Sequence, residues 1–193
     1  MPAILARGAD VNAVSKYETT PLFVAAEADE ADLVGLLLDR GANPNHVSPV
    51  FGTALHRAAY MDAPEAAARL LSGGADVTLR DRRGLTALGQ AAMLGSVAVA
   101  RLCLERGADA NAADVGGITP LVSAILWGTT RPKGVNRSTE LAALLLAHGA
   151  SASVGAADGA TPLAAAVDRG YAGIVSMLLH HGGPVAQTEP GTA

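Results

Sequence analysis

The residues of this sequence that could carry chemistry are its five histidines and its single cysteine. Cys103 stands between two leucines, where an apolar environment keeps a thiol poorly reactive. His148 and His181 occupy equivalent places in two repeated segments, so packed helices would separate them by about 8–10 Å. A shared zinc ion needs nitrogen at about 2.0–2.1 Å on each side. We therefore expect a buried structural thiol at Cys103 and no zinc site between these histidines.

Catalysis needs a nucleophile, a base and an orienting group that converge in one pocket. No such set can be assembled from the sequence. The glycine pairs Gly73-Gly74 and Gly116-Gly117 lack the lysine and the spacing of a phosphate-binding loop. The sequence predicts no catalytic residues, no metal ligands and no cofactor.

Two markers recur at the same spacing along the chain. A Gly-Ala-Asp triplet or a close variant closes Leu-rich stretches at intervals of 33, 33, 33, 42 and 33 residues, and a Thr-Pro-Leu triplet or variant recurs at 33, 33, 33 and 42. The triplet glycines are Gly8, Gly41, Gly74, Gly107, Gly149 and Gly182; the triplet threonines are Thr20, Thr53, Thr86, Thr119 and Thr161. Two independent markers in one register predict a repeat array.

Each repeat contains the start and stop signals of two helices. The threonine can cap free amide groups, and proline is tolerated at the first helical position. The first helix then shows one apolar face, as at Leu22, Ala25 and Ala26, whereas the second is more hydrophobic throughout, as at Leu36 to Leu38. The closing glycine supplies a left-handed backbone conformation that ends the second helix.

These residues resemble the ankyrin repeat, whose period is 33 residues and whose signature is Thr-Pro-Leu-His-x-Ala. The resemblance covers residues 3 to 185 and implies an all-α solenoid of helix-turn-helix repeats with β-hairpin loops. The signature histidine survives as His56, for which the resemblance implies hydrogen bonds to neighbouring backbone. The turn glycine of the hairpin is replaced by Glu18 and Phe51 in the first two repeats.

The register predicts one ankyrin repeat domain over residues 1–185, with a partial N-terminal repeat and a disordered tail at 186–193. The five full units are 12–44, 45–77, 78–110, 111–152 and 153–185. The 42-residue step places an insertion at 129–137, inside the fourth unit. Neutral drift in a surface loop and a role in binding both remain open for this insertion.

Composition limits the classes of partner. Net charge is −4, but residues 77–137 hold eight bases against four acids. A nucleic-acid surface would need a larger basic stripe with stacking aromatics. No secretory signal and no membrane-length apolar run is visible. We expect an intracellular, cytoplasmic monomer without a nucleic-acid partner and without membrane insertion.

The resemblance implies a concave protein-binding surface made by the hairpin tips and the exposed ends of the first helices. Aromatic residues, Met and Arg at these positions are typical of interfaces. The predicted partner-binding residues are Tyr17, Val50, Tyr60, Met61, Arg82, Arg83, Met93, Leu94, Leu126 and Trp127. Packing of Leu94 and Leu126 into the core between repeats is the alternative for those two.

The sequence thus predicts a protein–protein interaction module or scaffold that performs no catalysis. The alternative is a regulatory ankyrin array belonging to a larger protein, such as an enzyme or channel subunit. That alternative is suggested by a start inside a repeat and by a last repeat that keeps apolar residues such as Val167 and Ile174.

Overall fold

The computed structural model describes residues 9–128, 137–156 and 159–182. Within these ranges the chain forms ten α-helices in five antiparallel pairs. They are α1 (Pro21–Glu27), α2 (Ala31–Asp39), α3 (Ala54–Met61), α4 (Pro64–Ser72), α5 (Ala87–Leu94), α6 (Val97–Glu105), α7 (Pro120–Trp127), α8 (Arg137–Ala147), α9 (Pro162–Asp168) and α10 (Ala172–His180). The predicted all-α architecture of repeated helix pairs is confirmed.

Some of the expected features fall outside the described residues. These are the partial N-terminal repeat, residues 129–136 of the insertion and the tail at 186–193. Arg137, which the repeat register assigns to the insertion, is the first residue of α8. No helix in the described ranges is both long enough and apolar enough to cross a membrane.

Threonine caps the first helix of every pair. The Thr20 hydroxyl oxygen accepts from the Phe23 backbone N–H at 3.3 Å, and Thr161 accepts from Ala164 at 3.1 Å. Thr53, Thr86 and Thr119 repeat the contact. Because this bond satisfies one of the free N–H groups of the first turn, the triplet fixes where each first helix begins.

The helix pairs stack side by side, so that first helices pack against first helices and second helices against second helices. Leu22, Leu55, Leu88 and Leu121 are the equivalent leucines of four first helices, and all are fully buried. Cys103 is also fully buried, in the position that leucine holds in the other second helices. Burial raises the pKa of its thiol to about 12, which confirms the predicted structural role.

Asparagine side chains at the start of the first, second and fourth units tie each of these units to the one that follows. Asn12 donates from Nδ2 to the Gly41 carbonyl at 3.1 Å, and its Oδ1 accepts from the Asn43 N–H at 2.8 Å. Asn45 and Asn111 make the same pair of bonds to the units that follow them. Thr78 stands in this position in the third unit and bonds to Asp76 instead, at 2.7 Å.

A tight turn precedes each first helix, and residues of these turns contribute to the candidate binding surface. In all five turns one backbone N–H bonds to the carbonyl four residues later, as from Ser15 to Thr19 at 2.9 Å. Glu18 adopts a left-handed φ of 55° where later units have glycine. In the second unit the left-handed residue moves one place on, to Gly52 at φ 77°, so Phe51 avoids that strain. Both glycine-deficient turns therefore form.

Candidate binding surface

The guanidinium of Arg57 lies among three aromatic rings. Arg57 projects from α3, and its guanidinium carbon lies 5.6 Å from the ring centre of Phe23, 5.8 Å from that of Phe51 and 5.0 Å from that of Tyr60. All three distances are within the range of cation–π attraction. The guanidinium also forms an ion pair with Glu27 of the preceding unit. These contacts hold Arg57 in one orientation at the junction of the first two units.

We call Tyr17, Phe23, Phe51 and Tyr60 the aromatic cluster. Tyr17 meets Phe51 edge to face with ring centres 6.3 Å apart, and Phe23 lies 5.8 Å from Phe51. Phe23 is buried, whereas Tyr17 is 52% exposed, Phe51 40% and Tyr60 47%. Four of the six aromatic residues of the chain thus gather in one place. Three of them leave a large part of their side chains open to solvent.

A cavity of about 250 Å³ opens beside the aromatic cluster; we call it the groove cavity. Its lining residues are Val50, Phe51, His56, Arg57, Tyr60, Asp81, Arg82, Arg83 and Gln90. They come from the turn and first helix of the second unit and from the same elements of the third. The cavity therefore lies across the boundary between two units.

A hydrogen-bond network orders the third-unit side of the groove cavity. Asp81 Oδ1 accepts from the backbone N–H groups of Arg83 at 2.8 Å and Leu85 at 3.0 Å. Asp81 Oδ2 lies 3.2 Å from Arg83 Nε. Arg83 in turn donates from Nη2 to Gln90 Oε1 at 2.6 Å. The turn thereby fixes the direction of the Arg83 side chain.

His56 closes the inner end of the groove cavity. Its Nε2 lies 2.9 Å from the Leu85 carbonyl oxygen, which can only accept, so Nε2 carries the proton. Its Nδ1 then accepts from the hydroxyl of Thr53 at 2.8 Å. Burial lowers the pKa of His56, despite the opposing hydrogen bond to Leu85. His56 is thus neutral and bonds to neighbouring backbone, as the resemblance implied.

Two buried nitrogen atoms of this region have no hydrogen-bond partner among the described residues. They are Arg57 Nε and Gln90 Nε2, and both side chains line the groove cavity. A buried polar group without a partner costs about 1–3 kcal/mol. Both atoms are donors, so the group that would satisfy them is an acceptor.

The structure gathers five of the predicted binding residues at this surface. Val50, Tyr60, Arg82 and Arg83 line the groove cavity, and Tyr17 contacts Phe51 beside it.

The other five predicted residues lie elsewhere. Met61 is exposed in the last turn of α3, and Met93, Leu94, Leu126 and Trp127 are partly buried at the ends of α5 and α7. Leu126 packs against the hydrophobic core, which was the alternative to a place on the binding surface.

Sequence reasoning missed Phe23, Phe51, Arg57 and Gln90. A signal existed for the last two. Each of them directly follows the signature histidine position of its unit. In the other three units the residue that follows this position is Val24, Ser123 or Ala165. A long polar side chain at that place in two adjacent units differs from the rest of the array.

No group of three or more His, Cys, Asp and Glu side chains that could hold a metal ion occurs in the described part of the chain.

Comparison with known proteins is consistent with this architecture. A model of ankyrin repeats in three copies matches residues 2–81 and 55–136, and a single ankyrin repeat model matches residues 158–189. The crystal structure of an ankyrin repeat domain from Acinetobacter baumannii AYE is 30% identical in sequence and superposes with a TM-score of 0.85. That match covers 95% of this chain and 91% of the other. The search of curated proteins gave no match.

Proposed function

Because the chain belongs to the ankyrin repeat family, we propose that it binds another protein through the aromatic cluster and the groove cavity. Ankyrin repeats are generally protein–protein interaction modules, and the fold is typically non-catalytic. The family gives the kind of activity. The choice of surface rests on the side chains of this chain.

The exposed aromatic cluster around Arg57 is the observation that carries the proposal. Protein interfaces concentrate Tyr, Phe, Trp, Met and Arg, and energetic hot spots are enriched in Tyr, Trp and Arg. An exposed apolar patch on a monomer often marks a contact site. Here Tyr17, Phe51 and Tyr60 are exposed around an arginine that is already oriented by its ion pair with Glu27. A partner would therefore meet anchors that lose little conformational entropy on binding.

We also propose that the surface continues toward the ends of the next first helices. Met61, Met93, Leu94, Leu126 and Trp127 stand at or near the C-terminal ends of α3, α5 and α7, which are neighbours in the stack. Methionine adapts to partners of different shape, so this part suits either a helix or an extended segment. Trp127 is only partly buried, so it remains accessible to a partner.

Affinity capture with matched variants tests the proposal. The intact chain, Phe51→Ala, Tyr60→Ala and Leu179→Ala are used to capture proteins from an extract of the source organism. Leu179 is an exposed apolar residue on α10, so its variant controls for general loss of apolar surface. We expect the intact chain and Leu179→Ala to retain the same protein. We expect both aromatic variants to lose about 2 kcal/mol or more of binding free energy.

Circular dichroism of each variant separates loss of binding from loss of fold. If Phe51→Ala and Tyr60→Ala fold normally and still retain the partner at the wild-type level, the aromatic cluster is not the binding surface.

A further inference from the structure

The charges that line the groove cavity are unbalanced. Arg57, Arg82 and Arg83 stand against one acid, Asp81, because burial keeps His56 neutral. Both oxygens of Asp81 are already held by its own turn, so it has little capacity left for a ligand. Arg82 is exposed and has no hydrogen bond or ion pair with another described residue. Even with Glu27 paired to Arg57, the cavity keeps an excess of positive charge.

The unsatisfied donors point to the same ligand chemistry. Gln90 is only 3% exposed, and its orientation is set because Oε1 must accept from Arg83. Its Nε2 is therefore a donor without an acceptor, as is Arg57 Nε. A cationic or donor-rich ligand would add to this excess of donors. A carboxylate offers acceptors only, and arginine binds it with charge-assisted hydrogen bonds.

We propose that the groove cavity binds an acidic side chain, Asp or Glu, of a partner peptide whose neighbouring apolar residue packs on the aromatic cluster. The inference rests on the proposed function and adds the chemistry of the partner. The carboxylate lies between Arg57 and Arg83 and accepts from Gln90 Nε2 when the side-chain amide of Gln90, which is buried in the free protein, becomes accessible to it. The apolar neighbour lies on the exposed parts of Phe51, Tyr60 and Val50, which border the same cavity.

Selection from a displayed library of random dodecapeptides tests the proposal with the intact chain as target. We expect the selected peptides to be enriched in Asp or Glu next to an apolar residue. In a selected peptide, replacing that acid by its amide should weaken binding about tenfold or more, because it removes a charge from a partly desolvated pair. High salt should reduce this difference.

Variants of the protein locate the carboxylate. In Arg83→Gln the preference for the peptide acid over its amide should fall severalfold, because one of the two guanidinium groups that flank the carboxylate is lost. Gln90→Glu keeps the shape of the side chain but adds a negative charge, so it should weaken the acidic peptide more than the amide peptide. Arg40→Gln is the matched control, since it makes the same change of charge at an exposed arginine after α2. It should leave the preference for the acid intact.

The outcomes separate this inference from the proposed function. Selected peptides that lose binding in Tyr60→Ala but show no acid preference would overturn the carboxylate site and leave the binding surface in place. Selected peptides that bind Tyr60→Ala and Arg83→Gln as well as the intact chain, or a library that yields no binder, would overturn both. A preference for the acid that persists unchanged in Arg83→Gln and Gln90→Glu would place the carboxylate elsewhere and overturn this inference.

Discussion

Arg137 donates a hydrogen bond from Nη1 to Asp62 Oδ2 at 2.9 Å, although 75 residues separate them in sequence. The same nitrogen donates to the Gly95 carbonyl at 2.9 Å. Asp62 follows α3, Gly95 follows α5 and Arg137 begins α8. One side chain therefore connects three successive units on the side of the array where the helices of each pair are joined. It also anchors the first turn of α8.

A double-mutant cycle measures the energy of this contact. Asp62→Asn and Arg137→Gln should each lower the free energy of unfolding by about 1 kcal/mol, and together by less than the sum of the two. Both side chains are partly buried, so solvent screens the pair less than a surface pair. Urea denaturation of the four proteins gives the coupling energy. The control is the pair Arg101 and Glu140, whose Nη2 and Oε1 atoms are 4.0 Å apart. Its side chains are 50% and 57% exposed, so solvent screens this pair more strongly. Equal coupling in the two cycles would contradict a special role for Arg137.

Two glycines with similar backbone angles should respond differently to alanine. Gly95 has φ 77° and Gly107 has φ 81°, so alanine at either adopts a left-handed conformation that costs about 1–2 kcal/mol. A Cβ at Gly95 would lie 2.6 Å from the Gly128 carbonyl oxygen, whereas a Cβ at Gly107 meets no atom within 4 Å. Gly95→Ala should therefore destabilise the fold more than Gly107→Ala in parallel urea melts. Equal losses would show that the neighbouring backbone moves without cost.

The stacked leucines should be equally sensitive in adjacent units. Leu88 and Leu121 are both fully buried between first helices. Alanine at either position should cost about 2–5 kcal/mol, because it removes apolar contacts and leaves a cavity. Leu179→Ala on α10 is the control, since that side chain is 44% exposed. Thermal or urea unfolding followed by circular dichroism should show similar losses of stability for Leu88→Ala and Leu121→Ala and a smaller one for Leu179→Ala. A small loss of stability for Leu88→Ala alone would indicate that the surrounding core collapses into its cavity.

His56 should make the fold less stable in mild acid. Its pKa is lowered in the folded protein from the ordinary value of 6.5, so the unfolded chain takes up a proton first. The stabilisation is fully present above pH 6.5 and is lost as the pH falls through that value toward the lowered folded pKa. The free energy of unfolding of the wild type, minus that of His56→Gln, should decrease over this range. A difference that stays constant with pH would mean that His56 titrates alike in both states.

The sequence by itself determined the repeat architecture. The 33-residue register, the threonine caps and the apolar positions predicted which segments form helix pairs and which leucines are buried. This was possible because the contacts that build a repeat are local or reach the adjacent unit. The residues that specify each helix pair therefore lie within that unit or the next one. The same register placed Tyr60, Arg82 and Arg83 among the predicted partner-binding residues, and the structure brings these three together at the groove cavity.

The tertiary structure decided the details that depend on distances between units. Phe23 and Phe51 belong to different elements, and only the stacking of two units brings their rings around Arg57. The turn of the second unit has its left-handed residue at Gly52 and not at the expected position, Phe51, because glycine adopts a positive φ without the steric cost of a side chain. The contact of Arg137 in the fourth unit with Asp62 in the second passes across the third unit, beyond the reach of any pattern within one repeat. Contacts of this kind depend on how the units pack in three dimensions. The periodicity of the sequence does not specify that packing at the level of single side chains.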